Sequence, residues 1–188
     1  KVGFLNCIDP SDEALEQAKL NLESAKNCSF ECNGVDGNSL KEESQDFGYS
    51  LGVLHHIPDT ALALQACAKK LKAGAPFLLY LYYRFDNKPQ SYYLLWKCSD
   101  LLRKIISRLP FIIKFFISQI FALFIYLPLA RLALVAEKLG IDVINFPLTW
   151  YRNEPFYILR TDALDRFGTR LEQRFTKDEI KKMLSDAG

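Results

Sequence analysis

Between residues 46 and 59 the chain reads Asp-Phe-Gly-Tyr-Ser-Leu-Gly-Val-Leu-His-His-Ile-Pro-Asp, and this segment restricts the fold more than any other. The apolar run 47–53 predicts a strand, His55 and His56 a polar turn, and Pro58-Asp59 the start of a helix. The same punctuation occurs upstream. Residues 2–8 predict a short buried strand, after which Asp9-Pro10-Ser11 starts a helix with Ser11 as its cap and Asp12 and Glu13 in its first turn. Residues 28–32 predict a second strand and 34–39 a polar turn. Residues 59–71 predict a helix closed by Lys72-Ala73-Gly74, and 76–83 a fourth strand apolar enough to be covered on both faces. Strand and helix in alternation predict an α/β fold with a mostly parallel sheet and right-handed crossovers. Ligands of open α/β sheets lie beyond the carboxyl ends of the strands, so the turn at 50–56 is expected to face one.

The alternation stops at residue 83. Residues 90–139 form an aliphatic and aromatic tract punctuated by Pro110 and Pro128, which predicts two or three helices. Residues 146–160 read as an aromatic loop. Thr176-Lys-Asp-Glu179 predicts a capping box on a last helix that turns Ile180, Met183 and Leu184 inward. The predicted organisation is an α/β core at 1–83, a helical insertion at 84–150 and a return to the core at 151–188.

Charge separates the two parts. Residues 9–46 carry ten acidic side chains against three lysines, whereas residues 101–136 carry Arg103, Lys104, Arg108, Lys114 and Arg131 and no acid. Residues 115–130 are sixteen in a row without a charge, short of the roughly 20 that a spanning helix needs. They suit a buried cap, an interfacial helix or a lid over an apolar substrate. The unopposed basic residues suit peripheral contact of 101–136 with an anionic membrane, released by salt. Nucleic acid is not expected, because aliphatic runs separate those residues.

The odd count of five cysteines suits reduced thiols in a cytoplasmic protein. Cys28 and Cys32 lack a second Cys/His pair, and no metal is expected. The chain opens on Lys1 in an apolar run without the pattern of a signal peptide and closes on a helix stop, so both ends read as cut.

A carboxylate between a strand and a helix, as at Asp9, can accept two hydrogen bonds from a ribose diol, or can simply cap the helix. Asp36 stands in an Asp-Gly turn, which is commonly no more than a turn. The adjacent histidines could supply a base near neutral pH or pack and cap the turn.

In order, Cys7-Ile8-Asp9-Pro10-Ser11, Val35-Asp36-Gly37-Asn38-Ser39-Leu40, and the run from Gln45 to His56 resemble the class I S-adenosylmethionine-dependent methyltransferases, Rossmann-like and of the type 11 kind. The resemblance covers 1–83 and returns weakly at 175–188. It implies that Asp9 binds the ribose, that Asp36 and Gly37 hold the adenine, and that Ser50, Leu51 and Gly52 line the methionine moiety, with His55 as a candidate base. The family's glycine-rich loop has no counterpart, because the chain contains no Gly-x-Gly. In that fold the strand preceding the loop lies between the strands at 2–8 and 47–53, so a gap is expected beside 47–53. The implied activity is methyl transfer from S-adenosylmethionine to a small, apolar or lipid-like acceptor. Trp150, Tyr151, Arg152 and Tyr157 would close the acceptor pocket, with Arg152 or Arg160 pairing an acidic group. The alternatives are a membrane-associated interaction module on a degenerate nucleotide-binding fold, and a nucleotide-sugar or dinucleotide enzyme using the same strand-end acid.

Overall fold

A strand that feeds a helix pairs in parallel with the strand that follows, and the computed structural model, which describes residues 3–188, contains two such pairs. Strand β1 (Leu5–Asp9) leads through α1 (Asp12–Asn21) to β2 (Cys28–Cys32). The two pair in parallel, from Leu5 opposite Cys28 to Asp9 opposite Cys32. Strand β3 (Gly48–Leu51) leads through α2 (Thr60–Lys70) to β4 (Phe77–Tyr80), again in parallel, from Gly48 opposite Phe77 to Leu51 opposite Tyr80. Residue 2, where the first strand was expected to begin, lies outside the described residues. Both helices start as their sequences require: Ser11 Oγ accepts from the Ala14 amide and Asp59 Oδ1 from the Leu62 amide. Among the described residues no backbone ladder joins β1 to β3, which is the gap expected beside 47–53.

Gln90–Ile106 is α3, Phe111–Phe121 is α4 and Leu127–Lys138 is α5. Pro110 stands at the N-cap of α4, after α3 has ended at Ile106. Pro128 does not end anything. It has no amide for the carbonyl four residues back, and the helix widens into a π turn at Ala122–Tyr126 instead, so Phe111–Lys138 is one continuous rod. A 3-10 turn at Thr149–Asn153 precedes α6 (Phe156–Gly168). Leu159, Ala163 and Phe167, four residues apart on α6, are buried with Ile106, Ala122, Tyr126 and Ala130, and the Phe121 ring stands edge-on to Phe167 at 4.7 Å.

Here the expected organisation is corrected. Residues 146–160 are not loop throughout, and 151–172 do not return to the α/β core. The chain divides into one unit made of the residues up to Tyr83 with Gln173–Gly188, and a second made of Arg84–Glu172. The apolar face of α6 and its ionic ties keep it with the helices. Arg103 is buried and donates to Asp100 (2.7 Å) and to the Thr169 and Arg170 carbonyls, while Arg166 pairs with Glu172.

Three of the five basic side chains expected to face an anionic surface are likewise turned inward. Besides Arg103, Lys114 donates to the Gly168 carbonyl at 3.2 Å, and Arg131 donates to the carbonyls of Arg152 and Glu154.

The chain rejoins the first unit at Gln173. The Phe175 amide donates to the Tyr82 carbonyl at 2.9 Å, and α7 (Lys177–Ala187) then starts at the expected capping box of Thr176 and Glu179. Ile180 and Met183 of α7 pack with Leu54, Leu64 and Leu81 in the core of this unit. That core covers one face of the β3–β4 pair. The other face, with Tyr49, Leu51, Leu78 and Tyr80, is exposed, a second correction, since the fourth strand was expected to be covered on both faces.

Candidate active site

Asp9 is the last residue of β1. Its Oδ1 accepts from the Ser11 amide at 2.8 Å. That bond fixes the carboxylate in a local turn and leaves the capping of α1 to Ser11, so Asp9 is not the helix cap. Its Oδ2 accepts no bond from the described residues and remains available to a ligand.

The loop after β2 is fastened to the same strand end, with the Asn33 amide donating to the Asp9 carbonyl at 3.2 Å. Asn33 organises that loop. Its Oδ1 accepts from the Gly34 amide at 2.9 Å and its Nδ2 donates to the Gly37 carbonyl at 2.6 Å. A Cβ at Gly37 would lie 2.7 Å from Asn33 Oδ1, and one at Gly34 would lie 2.8 Å from Asp36 Oδ1. At Gly37 the atom in the way belongs to the hydrogen-bonded Asn33 amide, which favours glycine there, whereas the exposed Asp36 carboxylate beside Gly34 is free to move aside. Asp36 and Gly37 are exposed at its tip. Sequence reasoning missed Asn33; the signal was an Asn directly before Gly-x-x-Gly, since Asn can satisfy its own loop's backbone. Beyond the loop, Ser39 donates to the Glu31 carboxylate from its hydroxyl and its amide, and the hydroxyl bond leads the effects that hold that carboxyl below its ordinary value.

Ser50, Leu51 and Gly52 lie at the end of β3. Ser50 is half-buried and Leu51 exposed, and the Gly52 amide donates to the Tyr80 carbonyl at 3.0 Å. Gly52 has φ +75°, a left-handed conformation that strains other residues. The structure therefore brings Asp9, Asp36 and Gly37 together around one strand pair. Ser50–Gly52 stand at the carboxyl end of the other pair, joined to the first by a bond from Asn6 Nδ2 to Gln45 Oε1 at 2.9 Å.

His55 is 0% exposed and stacks on Tyr82 with ring centroids 3.8 Å apart. Arg174 covers Tyr82 as well, at 4.9 Å, and the Gln173 amide donates to the His55 carbonyl at 3.0 Å while its side chain donates to the Ile57 carbonyl. A ring without exposed surface meets no acceptor, and the base expected at His55 is corrected to a packing element of the turn. Gln173 and Arg174, not foreseen as site residues, lock that turn to the returning chain. In the second unit, Arg152 binds the Glu137 carboxylate through Nε and Nη2, each at 2.8 Å. That partly exposed ion pair occupies, in this structure, the residue expected to pair an acidic acceptor. Trp150 and Tyr157 are exposed.

A cavity of about 230 Å³ runs beside β1 and β2, lined by Asn6, Ile8, Phe30 and Glu31 among others. It is smaller than the roughly 300–1,000 Å³ of a typical ligand site and lies along the strands, not at their ends.

The methyltransferase-domain family matches residues 2–79, the stretch that carries all of these strand ends. The chain is 28% identical over 146 residues to the ubiquinone biosynthesis O-methyltransferase of Neisseria meningitidis serogroup A, covering 76% of this chain and 56% of that protein. The serogroup C protein of the same name is 27% identical over the same length. The chain thus spans about half the length of these curated relatives. The YcgJ protein of Bacillus subtilis superposes with a TM-score of 0.46 at 22% identity, over 55% of this chain and 44% of that one. Residues 2–79 thus match the methyltransferase-domain family and carry a Rossmann-like α/β fold.

Proposed function

We propose that the protein transfers a methyl group from S-adenosylmethionine to the oxygen of a small acceptor with an apolar, lipid-like body. The observation that carries this is Asp9, a strand-end carboxylate with one oxygen fixed by its own turn and the other available. That arrangement suits a ribose diol, whose two hydroxyls need charged acceptors held in place. The neighbouring turn, braced by Asn33, would present Asp36 and Gly37 to the adenine, and Ser50, Leu51 and Gly52 would border the methionine portion. These residues fit the nucleoside end of the cofactor. Residues 1–188 hold no glycine-rich loop to add to them. When bound, the cofactor supplies an activated methyl group on a sulfonium.

The remaining work is positioning. A methyl transfer needs the acceptor atom in line with the sulfonium methyl, and alignment alone supplies a large share of the rate. No protein base is assigned, since His55 is occupied in packing; the proton of the acceptor hydroxyl would pass to solvent. The oxygen acceptor and the lipid-like body are proposed by likeness to relatives named ubiquinone biosynthesis O-methyltransferases.

The full-length protein, supplied with S-adenosylmethionine labelled in its methyl group, tests this against a series of phenols that differ only in the length of an apolar tail. Label is expected in the organic extract, rising with tail length. No transfer to any member, or transfer that falls as the tail grows, would overturn the proposed acceptor class.

A further inference from the structure

We propose that the outward face of the Phe111–Lys138 rod lies in the interfacial layer of a lipid bilayer, inserted by its apolar side chains and not merely held by charge. The proposal does not depend on the methyl-transfer reading.

The rod is amphipathic in reverse. Its buried residues are Ser118, Ala122, Tyr126, Ala130 and Ala133, small but for one and spaced by three or four. Its exposed residues include Ile112, Phe116, Ile120, Phe124, Leu132 and Val135. A helix surrounded by water packs its large apolar side chains inward and shows polar ones outside. Small residues between helices and large apolar ones outside are the arrangement of helices whose surroundings are lipid. The rod is long and apolar enough to cross a membrane, and only 17% of its most apolar stretch is buried. It is therefore not the hidden core helix of a water-soluble unit. Exposed apolar surface on this scale marks an interaction site.

Charge favours a bilayer as the occupant. Residues 101–136 contain no carboxylate; just before the rod begins Arg108 is exposed, and Lys104 is exposed although it also pairs with Asp100 at 3.1 Å, a place where cationic groups meet headgroups while neighbouring apolar side chains go deeper. The rod lies in the membrane plane and does not cross it. Its inner side packs on α6, which carries the ionisable residues Asp162, Asp165 and Arg166, and ionisable groups are excluded from hydrocarbon unless they serve a pathway through it. Arg103, Lys114 and Arg131 are engaged within the unit, so attraction by charge is the lesser part and the expectation of release by salt is replaced by retention.

Co-sedimentation of the full-length protein with vesicles of phosphatidylcholine, alone or mixed with phosphatidylserine, tests this at low salt and at about 1 M, where the Debye length falls to about 3 Å. Binding to both vesicles that persists at high salt is expected. Phe116→Glu with Phe124→Glu should cut the bound fraction by about tenfold or more at unchanged helical circular dichroism, because the face inserts by apolar area. Where the carboxylates perturb the helix, Phe116→Ser with Phe124→Ser makes the same test. Absence of binding, or full release by salt, would overturn the proposal. So would a concentration-dependent dimer that these substitutions dissolve, which would assign the face to a second copy of the chain.

Discussion

Asp9 and Asp162 are both carboxylates with tyrosine or amide donors nearby, yet their surroundings make them opposite kinds of residue. Asp9 sits half-exposed at a strand end, anchored through one oxygen. Asp162 is buried on α6, and burial pushes its carboxyl above the ordinary value even though Tyr151 and Tyr126 donate to it. Burial raises the Tyr126 phenol too. A carboxyl whose folded pKa is raised binds more protons in the folded state, so its contribution to stability improves as pH falls from neutral through the folded value toward the unfolded one. The stability of wild type relative to Asp162→Asn, which keeps an acceptor for the tyrosines but no titrating group, should therefore rise from pH 7 to about 4. Urea midpoints of the two proteins across that range check it. A difference that stays flat or falls would mean that Asp162 is not burdened by burial.

At the scale of elements, much was legible and the failures have physical causes. The second strand and the capping box of α7 were readable because each is set by local chemistry: β-favouring alternation between turns in one case, and Thr176 with Glu179 three residues on in the other. Helix α6 was missed because Pro155 and the aromatic residues before it read as loop, while its buried face consists of only Leu159, Ala163 and Phe167. Those three become meaningful only against the small stripe of α4 and α5, which lies far away in sequence. The positions of the candidate residues were legible where they follow from standing at or just after the end of a strand, as with Asp9 and Gly52. The packing of His55 was not legible, because its burial depends on Tyr82 and on Gln173, more than a hundred residues further on. The reversed helix face was hidden for the same reason, since an apolar run does not announce which side is inside. That face predicts an unusual mutational pattern. Ala130→Leu should overfill the packing and cost about 1–3 kcal/mol, whereas Leu132→Ser, two residues on and exposed, should stay within about 0.5 kcal/mol. Denaturant titration of both checks the assignment, and equal costs would contradict it.

For the whole molecule, two parallel strand pairs, each joined through a helix, supply the strand ends that a nucleotide cofactor requires, while a separate helical unit carries the exposed apolar surface. Asp9 and the Asn33-braced turn belong to one pair, and Ser50–Gly52 to the other. The account therefore depends on a cofactor held at the carboxyl ends of these strands, with Asp9 as its charged anchor. Calorimetric titration of S-adenosylmethionine into the full-length protein and its Asp9→Ala variant tests this most directly. Each charge-assisted hydrogen bond lost should cost about 1.5–3 kcal/mol, so the variant is expected to bind more than about tenfold more weakly. Equal affinity of the two proteins would contradict the account.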